Sequence, residues 1–152
     1  MEANPSQQPA PACECKNLDI GLLILRIGIG LAFLGHGIPK LVAGPPVWEK
    51  LGGAMALLGV TWAPDFWGFM AAFAEAAGGL SLILGLLLRP FLIMLLFEML
   101  LASYMHLHMG QGFNAASNAL QMVVVFAALL VTGAGRYSLG QAAGCLRERW
   151  FR

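Results

Sequence analysis

Six ionisable side chains stand inside long apolar stretches of this chain: Arg26, His36, Glu75, Glu98, His106 and His108. A charged group at the centre of a membrane helix costs about 3 kcal/mol on insertion scales, so such groups turn inward and pair. Arg26, Glu75 and Glu98 are the set suited to acid–base work: carboxyls that exchange a proton, and a guanidinium that balances the charge left behind. At ~1.5 Å per residue, Arg26 and Glu98 lie about 12 Å in from one end of their helices, and Glu75 about 16 Å in from the other. The three then share one layer near mid-span. Their depths predict an Arg26–Glu98 or Arg26–Glu75 ion pair, with the second carboxyl left open to protonation.

Ala71, Glu75 and Gly79 follow at i, i+4 and i+8, which places the carboxyl on a stripe of small residues. Such stripes face neighbouring helices at close range, so Glu75 is expected inside the bundle. His36 lies between Gly35 and Gly37 near the end of the first apolar stretch, and His106 and His108 close the third. Two residues apart on a helix, His106 and His108 do not share a face, so no ready-made metal pair is expected. Met94, Met99, Met105 and Met109 read as gap-filling core. The charged layer is equally readable as a structural lock on helix register without chemistry.

The elements that carry these residues follow from hydropathy. Of 152 residues 59% are apolar and 11% charged, against about a quarter charged in soluble domains. A bilayer core takes about 20 helical residues to cross. Four stretches read as crossing helices: about Leu18 to Leu41, Pro64 to Leu88, Pro90 to Met109, and Asn118 to Thr132 or a little beyond. Pro90 suits a first helical turn, and Gly133 to Gly135 end the last helix. Between the first two lies Val47 to Val60, too short to cross but with Trp48, Leu51, Met55 and Leu58 at helical spacing. It reads as an interfacial helix, with Trp48, Trp62 and Trp67 near headgroup level. The fold class is therefore all-α: a transmembrane four-helix bundle with a short interfacial helix between helices 1 and 2.

Lys16, Arg89, Arg136, Arg147, Arg149 and Arg152 fall at one end of these spans, and Lys40 and Lys50 at the other. The positive-inside rule then places both termini in the cytoplasm. Residues 1–17 read as a flexible tail lacking the pattern of a signal peptide, residues 18–140 as the membrane domain, and residues 141–152 as a basic tail. Cys13 and Cys15 form a lone CxC without a second ligand pair, and with Cys145 they read as reduced thiols. A net charge of +1 nominates no nucleic-acid partner.

Four segments together resemble the DoxX family of small four-helix membrane proteins. They are Phe33–Leu41, containing His36, Gly37 and Lys40; Glu75–Gly85 leading to Arg89-Pro90; His106; and Thr132–Leu139. Ala134 stands where that family often has proline, and Gly140 where an acidic residue is common; Glu98 occupies a stretch that is usually apolar. The resemblance implies a multi-pass protein of a bacterial or archaeal cytoplasmic membrane. It also implies a link to membrane redox systems, among them a thiosulfate–quinone oxidoreductase and a membrane-associated oxidoreductase complex.

Three functions compete. In the first, the chain is a redox-complex subunit that binds quinone or quinol between its helices. His36, His106 and Lys40 would contact the ligand, and Glu75, with Arg26 and Glu98, would handle the proton. Without a CxxCH, a four-cysteine cluster or a dinucleotide fingerprint, electrons would come from other subunits of the complex. In the second, the chain is a non-catalytic anchor or assembly subunit that recruits a partner enzyme through residues 1–17. A proton or solute carrier ranks third, since four helices leave little room for alternating access unless the protein forms a homo-oligomer.

Overall fold

A computed structural model describes residues 12–142. The elements are α1 (Ala12–Ala43), α2 (Pro45–Gly52) continued by a 3-10 helix (Gly53–Leu58), α3 (Pro64–Leu84), α4 (Leu88–His108), α5 (Gly112–Thr132) and the short α6 (Leu139–Ala142). Among the described residues there is no strand, and α1, α3, α4 and α5 are each long and apolar enough to cross a membrane. The expected four-helix, multi-pass architecture and the short helix between the first two spans are both present.

The helix ends follow local chemistry. Gly85 in the left-handed region (φ +68) terminates α3, its N–H donating to the Ser81 carbonyl at 2.8 Å. Pro90 is the third residue of α4, where a backbone N–H would have no partner within the helix. Three starts lie earlier than hydropathy placed them, that of α4 by two residues (Leu88 rather than Pro90). α1 begins by Ala12 rather than Leu18, so residues 12–17 of the expected tail are helical; α5 begins at Gly112 rather than Asn118. Residues 1–11 and the basic segment 143–152 lie outside the described residues.

The core is apolar and continuous. Phe33, Leu82, Leu88, Leu92, Leu95, Phe126 and Leu129 are buried together, and the Phe33 and Phe126 rings meet edge-on at 5.2 Å. The outer surface is apolar too: Val131 is 85% exposed, Val42 82% and Val124 69%, while Arg26 and Glu75 are buried. An apolar exterior around charged interior groups suits hydrocarbon as the surrounding solvent.

Close approach of α1 and α3 depends on missing side chains. A Cβ at Gly30 would lie 2.7 Å from the Gly79 carbonyl oxygen, and one at Gly37 would lie 2.9 Å from the Ala76 Cα. Nothing lies within 4 Å of a Cβ built at Gly35. Gly37→Val is therefore expected to lower stability by about 1–3 kcal/mol through forced separation of the two helices. Gly35→Val, two residues away on the outer face, should cost far less. Unfolding midpoints in the same detergent compare them directly, and equal losses would show that the α1–α3 contact is not close-packed.

α2 folds back over the first turns of α3, where backbone approach at Gly52 and Gly68 leaves no space for a Cβ. The Trp48 ring meets Phe69 at 5.1 Å, and its Nε1 donates to the Lys40 carbonyl at 2.9 Å. That bond satisfies one of the carbonyls a helix leaves open at its C-terminus. Trp62 and Phe66 pack edge-on against Trp67 from either side, completing an aromatic cluster at this end of α3.

Candidate functional site

The register set by the α1–α3 glycines brings Lys40 opposite Glu75. Its Nζ lies 2.6 Å from Glu75 Oε1, forming a charge-assisted hydrogen bond between two helices. Glu75 is 4% exposed, on the inward-facing small-residue stripe as its spacing required. Glu98, on α4, stands next to Glu75 and within electrostatic reach of Lys40. Glu75 lies eleven residues into α3 and Glu98 ten residues into α4, about 15 Å along helices of about 30 Å. Lys40, Glu75 and Glu98 thus form one cluster from three helices near mid-span.

The cluster is chemically unsaturated. Glu75 Oε2 and Glu98 Oε2 are both buried, and neither has a hydrogen-bond partner among the described residues. Two carboxylates offer only acceptors, so contact between them becomes a hydrogen bond only when one carries a proton. A buried acceptor without a donor costs about 1–3 kcal/mol, more when charged. The arrangement is therefore suited to accept a proton, or a hydroxyl donor from a ligand.

Arg26 does not join this cluster. The expected pairing with Glu75 or Glu98 is replaced by three backbone carbonyls. Nε donates to Leu82 at 3.1 Å, Nη2 donates to Tyr137 at 2.9 Å, and Nη1 donates to Ala134. The physical reason is the early start of α1. The helix projects past its neighbours, so Arg26 lies level with the C-terminal end of α3 and the segment that follows α5, where carbonyls lack intrahelical donors. Asp19 works one level further out, where its Oδ1 accepts from the Arg136 N–H at 3.0 Å.

The histidines are separate from the cluster: no hydrogen bond or ion pair joins His36 or His106 to Lys40, Glu75 or Glu98 among the described residues. His36 is exposed on the outer side of α1. His106 Nδ1 is 2.7 Å from Gln111 Oε1, and the His108 ring lies 5.9 Å from Tyr104. Among the described residues no group of three or more His, Cys, Asp or Glu is placed to hold a metal. Phe97, Leu100, Leu101 and Tyr104 of α4, with Leu58, line an apolar groove of about 250 Å³; Glu98 shares this stretch of α4 but is not among the lining residues.

Comparison with known proteins supports the resemblance in the sequence. A family model described as DoxX matches residues 21–108, more than half the chain. The chain belongs to the DoxX family. The match runs from α1 through α4, so Lys40, Glu75 and Glu98 all lie within the DoxX region, whereas α5 and the Arg26-binding Ala134 and Tyr137 lie beyond it. No curated protein and no solved structure matches this DoxX chain.

From sequence, Lys40 is expected to contact a ligand and is not paired with Glu75; the structure makes that ion pair. The signal was available in the glycines: aligning Gly30 and Gly37 against Gly79 and Ala76 on an antiparallel neighbour sets Lys40 beside Glu75.

Proposed function

We propose that this DoxX protein is an integral membrane subunit of a redox complex and handles quinone or quinol at the Lys40–Glu75–Glu98 cluster. The supporting observation is the pair of buried carboxyl oxygens on Glu75 and Glu98 that lack a hydrogen-bond partner among the described residues; the stretch of α4 that carries Glu98 also lines an apolar groove. The residues fit such a group. The groove is slightly smaller than typical ligand pockets of about 300–1,000 Å³ and has the apolar lining a ring requires. A bound quinone or quinol would supply two-electron, two-proton redox chemistry, with electrons exchanged through a partner subunit.

The protein's own groups manage the proton. One proton between Glu75 and Glu98 makes the cluster neutral, with one ammonium, one carboxylate and one carboxylic acid, which minimises its cost at membrane depth. Lys40 holds Glu75 in place and stabilises the charge when that proton leaves. Glu98, carried on the same stretch of α4 as the groove residues Phe97 and Leu101, passes the proton. Both termini lie in the cytoplasm, and the complex resides in a bacterial or archaeal cytoplasmic membrane.

The full chain in lipid nanodiscs should bind a hydroxyquinone inhibitor saturably. Glu98→Gln removes a charge-assisted bond worth about 1.5–3 kcal/mol and should weaken binding about ten-fold or more. Leu101→Trp fills the groove and should abolish binding. Affinity unchanged by Leu101→Trp would reject the groove, and no saturable binding by the parent would reject the quinone reading in favour of a non-catalytic anchor.

A further inference from the structure

The end of α4 has a composition that the redox reading does not use. Residues 105–109 are Met105, His106, Leu107, His108 and Met109, so two thioethers and two imidazoles occur within five positions. Methionine at the end of a core-facing helix should be buried, yet Met109 is 62% exposed. His106 and Met109 are three residues apart and share a helical face, unlike His106 and His108. One side chain connects that pair: Gln111 accepts from His106 Nδ1 at 2.7 Å through Oε1 and donates to Met109 Sδ at 3.7 Å through Nε2.

An amide oxygen can only accept, so His106 Nδ1 is the donor in this contact and Nε2 is the ring nitrogen that Gln111 leaves unengaged. Metal-binding histidines are typically oriented in this way, with the second ring N–H donating to a carbonyl. The Met109 sulfur likewise retains a lone pair beyond the one facing Gln111. Thioether and imidazole together favour a soft monovalent ion over zinc or magnesium, since thioether ligands select Cu(I). Met105, one turn before Met109, is a further thioether within the same segment.

We propose that His106 Nε2 and Met109 Sδ form a binding site for a soft monovalent cation, Cu(I) or Ag(I), with Gln111 as its positioning residue. The site lies at the end of α4 away from the Arg26 layer. It is independent of the proton-handling cluster and needs no quinone.

Ag(I) is the probe, because it has the ligand preferences of Cu(I) without its redox chemistry. The full chain in detergent, with Cys13, Cys15 and Cys145 alkylated so that thiols do not compete, should retain one Ag(I) per molecule through gel filtration. Loaded with Cu(I), its X-ray absorption should show both sulfur and nitrogen scatterers. Met109→Leu and His106→Asn should each weaken binding about ten-fold or more, and Gln111→Ala about ten-fold, as expected for loss of a group that orients a ligand. Met99→Leu, whose thioether packs against the core, should bind as the parent does. Helicity and elution volume matching the parent would show that each variant is folded; Met109 is exposed, so its fold does not depend on the thioether. A parent that fails to retain Ag(I), affinity unchanged in Met109→Leu, or a spectrum without sulfur would each overturn the site.

Discussion

Arg26→Ala is expected to lower the stability of the protein by about 2–4 kcal/mol. The residue is fully buried, and its guanidinium serves the carbonyls of Leu82, Ala134 and Tyr137. The buried Leu82 carbonyl left without a donor would cost about 1–3 kcal/mol and the part-buried Ala134 and Tyr137 carbonyls less each, and loss of the cation's own desolvation cost offsets part of that sum. Against a total stability of about 5–15 kcal/mol, the remainder is large. Arg26→Met keeps most of the volume but none of the donors, so it should be nearly as destabilised as alanine. Arg26→Lys should recover only part of the loss, because an ammonium cannot reproduce the planar fork that spans three separate carbonyls. Thermal unfolding in one detergent orders the series. If Arg26→Met unfolds with the parent, packing rather than hydrogen bonding holds these helix ends together.

The same residue shows where the sequence was legible and where it was not. Hydropathy locates the part of a helix that must lie in hydrocarbon, and all four spans follow from it. It does not locate the helix ends, because polar residues continue a helix readily once outside the bilayer. α1 is already helical at Cys15, Lys16 and Asn17, and α5 at Phe113 and Asn114. Depths counted from Leu18 therefore placed Arg26 beside the carboxyls, when it lies level with the end of α3 and the segment that follows α5. Lys40 illustrates the converse. Its position in the last turn of α1 reads as a ligand contact, but the helix stops about midway along α3, where Lys40 pairs with Glu75 instead. Glu75 was readable because its small-residue stripe is a local pattern, whereas its partner depended on the register between two helices. Glu98 is adjacent to Glu75 as their shared depth implied, yet the cation between them came from a different residue.

The second large effect concerns that cation. Lys40→Met removes the ion-pair partner of Glu75 Oε1 at a site where Oε2 has no hydrogen-bond partner among the described residues. Breaking one side of a buried ion pair costs about 3–5 kcal/mol, because the surviving charge stays out of water without compensation. Glu75→Leu should cost less, since the Lys40 side chain is 29% exposed and can move its ammonium outward. The double variant Lys40→Met/Glu75→Leu should recover much of the loss, as well-packed apolar replacements of buried pairs often do. It separates structure from chemistry as well. A bundle as stable as the parent that no longer binds the hydroxyquinone would show that the pair is kept for function. Retained binding in the stable double variant would reduce Lys40 and Glu75 to a register lock between α1 and α3, leaving Glu98 and the groove as the ligand site. Folded fraction and inhibitor affinity, measured on the same preparations, distinguish these results, because a variant that fails to fold is recognised by the first measurement before the second is read.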